Sequence, residues 1–251
     1  MLKKWEDLPA EMQSEEVREY YDALKKKKFS LFLKRAFDIF VSAFMLILLS
    51  PLFLILAIAI KIDSRGPVFY RQTRVTRYNK QFRIFKFRSM VQNADRGSLV
   101  TVGNDARITR VGKFIRKFKL DELCQLIDVL RGTMTFVGTR PEVPKYTEHY
   151  TPEMMATLLL PAGITSRASV YYKDEADLLD AAEDTDKVYI EEILPAKMYY
   201  NLKEIKSFSF FGDIKTMFMT VFAVFGKEYH GDYKKQEDLA SEKTTTEVTH
   251  K

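Results

Sequence analysis

The stretch IFVSAFMLILLSPLFLILAIAI, Ile39 to Ile60, runs for twenty-two residues without a charge, and no other part of the chain resembles it. As one helix it would reach about 33 Å, just enough for a hydrocarbon core of about 30 Å. Ser50-Pro51 falls near its middle. Proline removes a backbone donor and crowds the preceding turn, so a sharp kink is predicted there, with the Ser50 hydroxyl available to bond a freed carbonyl. Both flanks are basic: Lys25 to Lys28, Lys34 and Arg35 before the run, and Lys61, Arg65, Arg71, Arg74 and Arg77 after it. Positive residues favour the cytoplasmic side, so these flanks favour a helix that enters one leaflet, bends at Ser50-Pro51 and returns. A straight span is the alternative, and it would strand one basic cluster outside.

The rest of the composition suits one real core plus appendages: 251 residues, 46% hydrophobic and 29% charged. A single cysteine, Cys124, excludes an intramolecular disulfide, and three scattered histidines exclude a Cys/His zinc cluster. A net charge of +6 suits an anionic partner: a phosphate substrate, a membrane surface or nucleic acid. Pro9 to Lys28 reads as a polar helix, acidic early and basic late, with a narrow stripe of Val17, Tyr20, Tyr21 and Leu24. Its first half reads as solvent-exposed, and its lysines as facing anionic headgroups.

Between Ser64 and Ala94 stand eight basic residues and no acid. Val68 to Tyr70 and Phe82 to Phe87 are aromatic and β-prone around the turn Tyr78-Asn79-Lys80, which predicts a hairpin. A headgroup-facing surface and an anionic substrate pocket both fit this charge; nucleic acid fits poorly beside a membrane element. Further on, Leu120, Leu123, Ile127 and Leu130 recur at helical spacing, predicting a helix that stops at Gly132, with Asp121 and Glu122 in its first turn. Acids at a helix start favour the dipole and need no function. By the same reasoning Cys124 is a packing residue rather than a nucleophile. The loop Val137 to Glu142 offers Arg140 to a phosphate. Phe208 to Phe225 reads equally as an interfacial or a core helix, the span Asp174 to Glu192 is acidic, and the tail beyond Lys227 has no apolar period and reads as disordered.

Taken in order, Lys34-Arg35-x-x-Asp38, the run broken at Ser50-Pro51, Gly66-Pro67-Val68-Phe69, Lys86-Phe87-Arg88-Ser89-Met90, Leu120-Asp121-Glu122-Leu123, Val137-Gly138-x-Arg140-Pro141-Glu142 and Gly163-Ile164-Thr165 resemble the bacterial sugar transferases. More narrowly they resemble the small monotopic phosphoglycosyl transferases, over about Lys34 to Phe225. That resemblance implies transfer of a sugar 1-phosphate from a UDP-sugar to undecaprenyl phosphate, with UMP released, as the first membrane step of a surface glycan. It implies Asp121 as nucleophile, Glu122 as its partner, and Mg2+ held by both. Arg116 and Arg140 match phosphate-binding positions, with Lys86 and Arg88 as further candidates, and Ser50-Pro51 matches the break of a re-entrant helix. Asp38, paired with Lys34 or Arg35, is expected to anchor that helix.

The fold expected is α/β or α+β, mostly helical with a short sheet or hairpin. It divides into an N-terminal helix (1–33), the membrane helix (34–62), the catalytic domain (63–226) and a tail (227–251). The expected location is the cytoplasmic face of the bacterial inner membrane, with both termini cytoplasmic and homodimerisation left open. Three departures stand out. Lys119 replaces a capping serine and cannot accept amide bonds; Thr139 and Cys124 replace prolines; and the residues after Thr165 differ, so no donor sugar is named. The reading from another class is a non-catalytic membrane-attached protein whose basic segment holds anionic lipid or a partner.

Overall fold

Ser14 starts the first helix. Its hydroxyl accepts from the Val17 N–H at 3.4 Å, and α1 follows over Glu15–Lys25. The computed structural model describes residues 2–92, 107–172, 184–229 and 231–233, so α1 starts later than expected from Pro9, which precedes a separate short turn at Ala10–Met12. Val17, Tyr20, Tyr21 and Leu24 are all buried. They join Leu8 and Met12 against Val75, Tyr78 and the 3-10 segment Met154–Leu159. The first half of this region is largely solvent-exposed, as expected, with Ala10, Glu11, Gln13, Glu15 and Glu16 on the surface, but it also sends Met12 and Val17, both fully buried, into the core.

The apolar run forms two helices, α2 (Lys28–Leu48) and α3 (Ser50–Asp63), bent by 60°. Among the described residues no single helix is long and apolar enough to cross a membrane. Pro51 cannot donate to the Ile47 carbonyl four residues back, and the Ser50 hydroxyl takes that carbonyl at 2.7 Å instead. One side of α3 packs: Leu56 and Ile60 meet Phe87, Ile115 and Cys124. Elsewhere Phe40, Phe44, Ile47, Leu54, Ile55 and Ile58 are exposed.

The charged foot of α2 is built into the body. Lys34 Nζ donates to the Val137 carbonyl and to Asp213, each at 2.6 Å. Arg35 donates to the carbonyls of Val129 and Leu130 at 2.7 and 2.8 Å. Asp38 accepts from the Thr135 hydroxyl at 2.8 Å and the Phe136 N–H at 3.2 Å. Asp38 does anchor the helix, but through a strand. Lys34 and Arg35, its expected partners, do compensate its charge electrostatically, while their own hydrogen bonds go to Val137, Asp213 and a helix end.

The predicted hairpin is present: β1 (Phe69–Thr76) pairs antiparallel with β2 (Lys80–Phe87), and Tyr78 and Asn79 adopt positive φ at the turn. Beyond it lie α4 (Arg110–Lys117), α5 (Gln125–Arg131) and β3 (Met134–Val137), then α6 (Pro144–Thr147) and β4 (Ala162–Thr165), parallel to β3. The chain continues through α7 (Arg167–Tyr171), α8 (Thr185–Val188), a π-turn at Tyr189–Ile193, α9 (Leu194–Lys206) and α10 (Phe210–Val224). The fold is thus mostly helical with two small sheets, α+β rather than layered α/β. Gly132 closes α5 at φ 82°, as its sequence position predicts. The expected single helix around Asp121 is instead broken, with a 3-10 turn at Leu120–Glu122 standing before α5.

Most of the acidic span, and the tail apart from a few residues, lie outside the described residues. Residues 231–233 do not behave as a loose tail: the Tyr233 N–H donates to the Tyr200 hydroxyl at 2.6 Å and Asp232 pairs with Lys203. Helix α10 buries Thr216 and leaves Phe211, Phe218 and Phe222 exposed, as is Phe225 just after it, so it is not a core helix.

Removing one partner of a buried ion pair leaves the other charge uncompensated, typically at about 3–5 kcal/mol. Lys34→Met is expected to lower stability by that order in thermal or denaturant unfolding. Lys34→Met combined with Asp213→Leu is expected to recover more than half of the loss.

Candidate active site

Three segments converge on Glu122. The first is the turn Leu120–Glu122, entered through Lys119 at φ 52°, a left-handed conformation that disfavours a side chain and is held by Lys119 N–H to the Arg116 carbonyl at 3.1 Å. Nothing caps this turn through a side chain, in keeping with lysine at that position. The second is β2, which carries Lys86 directly opposite Tyr70. The third is the loop after β3, where the backbones of Gly138 and Gly163 lie so close that a Cβ on Gly163 would come within 2.2 Å of Gly138. Gly138 N–H to the Thr165 carbonyl and Gly163 N–H to the Thr139 carbonyl, at 2.9 and 2.8 Å, lock the crossing.

From that loop Arg140 reaches Glu122 Oε1 at 2.7 Å, and Lys86 Nζ lies 3.8 Å from the same oxygen. Burial alone would push the Glu122 carboxyl up, but Arg140 and Lys86 outweigh it and hold the group at about 2. Asp121 responds oppositely. Burial raises its carboxyl, Glu122 raises it further, and Lys86 and Arg116 only partly offset them. Lys86 itself is lowered by burial and by Arg140 and Arg74, against the pull of Glu122. Two adjacent carboxylates are thus driven apart in character by one set of cations.

Of the other candidates, Arg116 ends α4 within electrostatic reach of Asp121. Arg88 lies elsewhere: its guanidinium donates to the carbonyls of Ser64 and Arg65 at 2.7 and 3.0 Å and to the Ser64 hydroxyl, closing α3. Cys124 is fully buried and burial pushes its thiol up to about 12, the state of an inert packing residue. Arg74 was not singled out as a site residue, yet it adjoins this cluster. It shares a hairpin face with Lys86 by register and donates to the Pro141 carbonyl at 3.1 Å, beside Arg140. The two-residue alternation of the hairpin was the signal that placed it. Behind it, buried Glu142 accepts from the Tyr189 hydroxyl at 2.6 Å with Lys197 alongside at 3.6 Å.

Among the described residues no group of three or more His, Cys, Asp or Glu converges as a metal cage. Mg2+ is commonly held through one or two carboxylates together with substrate phosphates and water. Asp121 and Glu122 supply that number, and the burial that raises the Asp121 carboxyl is what a divalent cation would relieve. The donor set fits a metal shared with a diphosphate.

A family model described as bacterial sugar transferase matches residues 29–227. Similar proteins include a UDP-N-acetylgalactosamine-undecaprenyl-phosphate N-acetylgalactosaminephosphotransferase of Aeromonas hydrophila, 39% identical over 194 residues, 76% of this chain and 43% of that protein. A UDP-glucose:undecaprenyl-phosphate glucose-1-phosphate transferase of Klebsiella pneumoniae is 38% identical over 197 residues, 76% of this chain and 40% of that one. An exopolysaccharide production protein of Rhizobium leguminosarum bv. phaseoli is 48% identical over 112 residues, 44% of this chain and 56% of its own length. The chain spans about two fifths of the length of the first two.

Because the Glu122 carboxyl sits below its ordinary 4.5, the stability it contributes is fully present above about pH 4.5 and is lost as pH falls toward 2. The stability difference between the native chain and Glu122→Gln is therefore expected to be largest above pH 5 and to shrink steadily on acidification, measured by denaturant unfolding across that range.

Proposed function

The chain belongs to the bacterial sugar transferase family, and on that premise we propose that it transfers a sugar 1-phosphate from a UDP-sugar to undecaprenyl phosphate, releasing UMP, in the building of a surface glycan. The observation that carries this reading is the pair Asp121 and Glu122, set among Lys86, Arg140 and Arg116 and backed by Leu120 packing onto the α3 cluster. A water-soluble diphosphate and a lipid phosphate can meet only where a basic site borders an apolar element. The similar proteins differ in the sugar they are named for, so the donor is left to experiment.

Asp121 acts as nucleophile. Its carboxylate oxygen attacks the sugar-bearing phosphorus; the bond from that phosphorus to the bridging oxygen breaks, and the electron pair leaves with UMP. The sugar phosphate is then held on Asp121 as an acyl phosphate. An oxygen of the lipid phosphate attacks the same phosphorus, breaks the aspartyl bond and restores the carboxylate. Lys86, Arg116 and Arg140 meet the charge that develops on the phosphoryl oxygens. Asp121 and Glu122 would hold Mg2+, which when bound neutralises the repulsion between carboxylate and diphosphate. The raised Asp121 carboxyl makes its oxygen a better base, and therefore a better nucleophile, once ionised.

In this reading α2 and α3 form a re-entrant element in the cytoplasmic leaflet and α10 lies at the interface. Support comes from the 60° bend, the satisfied Ile47 carbonyl, the basic flanks at both ends and the exposed aromatic face of α10. Both termini then face the cytoplasm.

A panel of UDP-sugars offered with undecaprenyl phosphate to detergent-solubilised protein is expected to yield UMP with at least one donor in the presence of Mg2+. Without lipid acceptor, release should stop at one UMP per chain, with labelled sugar phosphate retained on the protein. Asp121→Asn is expected to reduce turnover by about a thousandfold or more; full turnover would remove the nucleophile assignment. No UMP from any donor would leave the membrane-attached binding protein as the better account. Single cysteines at residues 26 and 240 are expected to label from the same side of sealed vesicles, and labelling from opposite sides would rule out re-entry.

A further inference from the structure

The hairpin has a second cationic face. By register Arg71 stands opposite Phe85, and Arg83 lies two residues away on the same side, so both share a face that alternates with the one carrying Arg74 and Lys86. Arg71 donates to the Arg83 carbonyl at 3.0 Å through Nε, and Arg83 returns a bond to the Arg71 carbonyl at 3.2 Å. The Arg71 guanidinium lies 3.5 Å from the Phe85 ring centre, and Arg131, from the end of α5, lies 5.0 Å from the same ring. Two guanidinium groups therefore lie against one aromatic side chain, a third, Arg83, bonds to the Arg71 backbone beside them, and Arg83 and Arg131 are exposed.

The carboxylate facing this group is Asp128, which is buried and already receives the Phe85 N–H at 2.8 Å. It cannot balance three arginines. The cluster continues onto α2, because Arg35 lies against Gly132, the residue after Arg131. Arg35 precedes exposed Phe40 by five residues, about 7.5 Å along a helix axis. Exposed Phe32 stands three residues before Arg35, so Arg35 lies between exposed aromatic residues of α2. Phe69 and Leu130, both partly exposed, flank the arginines with apolar surface. None of these groups touches Asp121 or Glu122 through any contact described above.

We propose that Arg71, Arg83 and Arg131 form a binding site for the phosphate of an anionic phospholipid headgroup, separate from the carboxylate site. The proposal rests on the reading of α2 and α3 as the membrane element. The occupant is lipid rather than soluble anion because the cluster is continuous, through Arg35, with a helix that exposes aromatic side chains on either side of that residue, Phe32 before it and Phe40 after it. Arg71 holds the hairpin and the ring, while Arg83 and Arg131 present the charge. Guanidinium groups suit this role because their planar forks pair with phosphate oxygens.

The test is flotation of the full chain with vesicles of phosphatidylcholine alone and with vesicles that also contain phosphatidylglycerol. Each basic residue at such a surface is worth about a fivefold change in partition, so Arg83→Gln with Arg131→Gln is expected to reduce the phosphatidylglycerol-dependent increment roughly 25-fold. Binding to pure phosphatidylcholine should be unchanged. Lys203→Gln with Lys206→Gln, which removes two exposed cations from α9, should leave the increment largely intact. An equal loss in that control pair would show diffuse attraction by net charge and overturn the site. So would an increment that survives in the arginine pair, or one abolished by inorganic phosphate at constant ionic strength, which would mark a soluble-anion site. Absence of binding to either vesicle would instead overturn the membrane reading, and the headgroup site with it.

Discussion

Three charged side chains, Lys34, Arg35 and Asp38, fall within little more than one turn at the foot of a helix that is otherwise apolar. The rest of the architecture depends on where their charges are satisfied. Left in lipid or in an apolar core they would be prohibitively costly, so the body must come to them. Asp38 holds β3 through Thr135 and Phe136, Arg35 holds the last carbonyls of α5, and Lys34 holds both the end of β3 and Asp213 of α10. Those are the elements that carry the site: β3 runs into the loop bearing Arg140, and α5 follows directly from the turn bearing Asp121 and Glu122. The anchoring of the apolar helix and the positioning of the acidic pair are thus one set of bonds.

The dense positive charge after the apolar run has no single role. The two-residue period of a hairpin divides it. Lys86 turns toward Glu122 and Arg74, on the same face, toward Pro141 and Glu142; Arg71 and Arg83 turn toward Phe85 and the outer surface, and Arg88 closes α3 through backbone carbonyls. This division explains how substrate-facing and surface-facing readings of the same residues can both hold. Adjacent positions on a strand face opposite sides.

Features set by local chemistry were legible in the sequence. The proline break, the hydroxyl that takes the carbonyl freed by Pro51, the hairpin turn, the α1 stripe and the Gly132 stop each follow from one or two residues and their immediate neighbours. The misread features depend on distant partners. Lys34 and Asp38 look like a natural i,i+4 pair and do attract each other electrostatically, but their hydrogen bonds go to tertiary groups more than ninety residues away. The helix expected through Asp121 is broken because Lys119 takes a left-handed conformation that no lysine advertises. The first half of the N-terminal segment looks solvent-exposed by charge and largely is, yet Met12 and Val17, with Leu8 before them, are core because they find partners in residues 154–159. At the site, the acids and Arg140 were legible as motifs. Arg74 was legible only through strand alternation, and the helical role of Arg88 was not legible at all.

The electrostatics of the acidic pair suggest an order of events. Before substrate arrives, Glu122 is the anion that Arg140 and Lys86 hold, which is why its carboxyl stays ionised despite burial. Asp121, one residue earlier, has the weaker share of the same cations and is raised. On the proposed reading an incoming diphosphate would compete with Glu122 for Arg140 and Lys86, because all are anions seeking the same donors. Were those cations to turn toward a phosphate, Glu122 would lose compensation and the two carboxylates would repel more strongly; Asp121 and Glu122 are the residues that would hold a divalent cation able to relieve that repulsion. On the proposed reading Glu122 would act as the placeholder for substrate charge, keeping the cations in position until a diphosphate takes them. Asp121, with the weaker share of those cations, would keep the lone pair that the proposed attack on phosphorus requires.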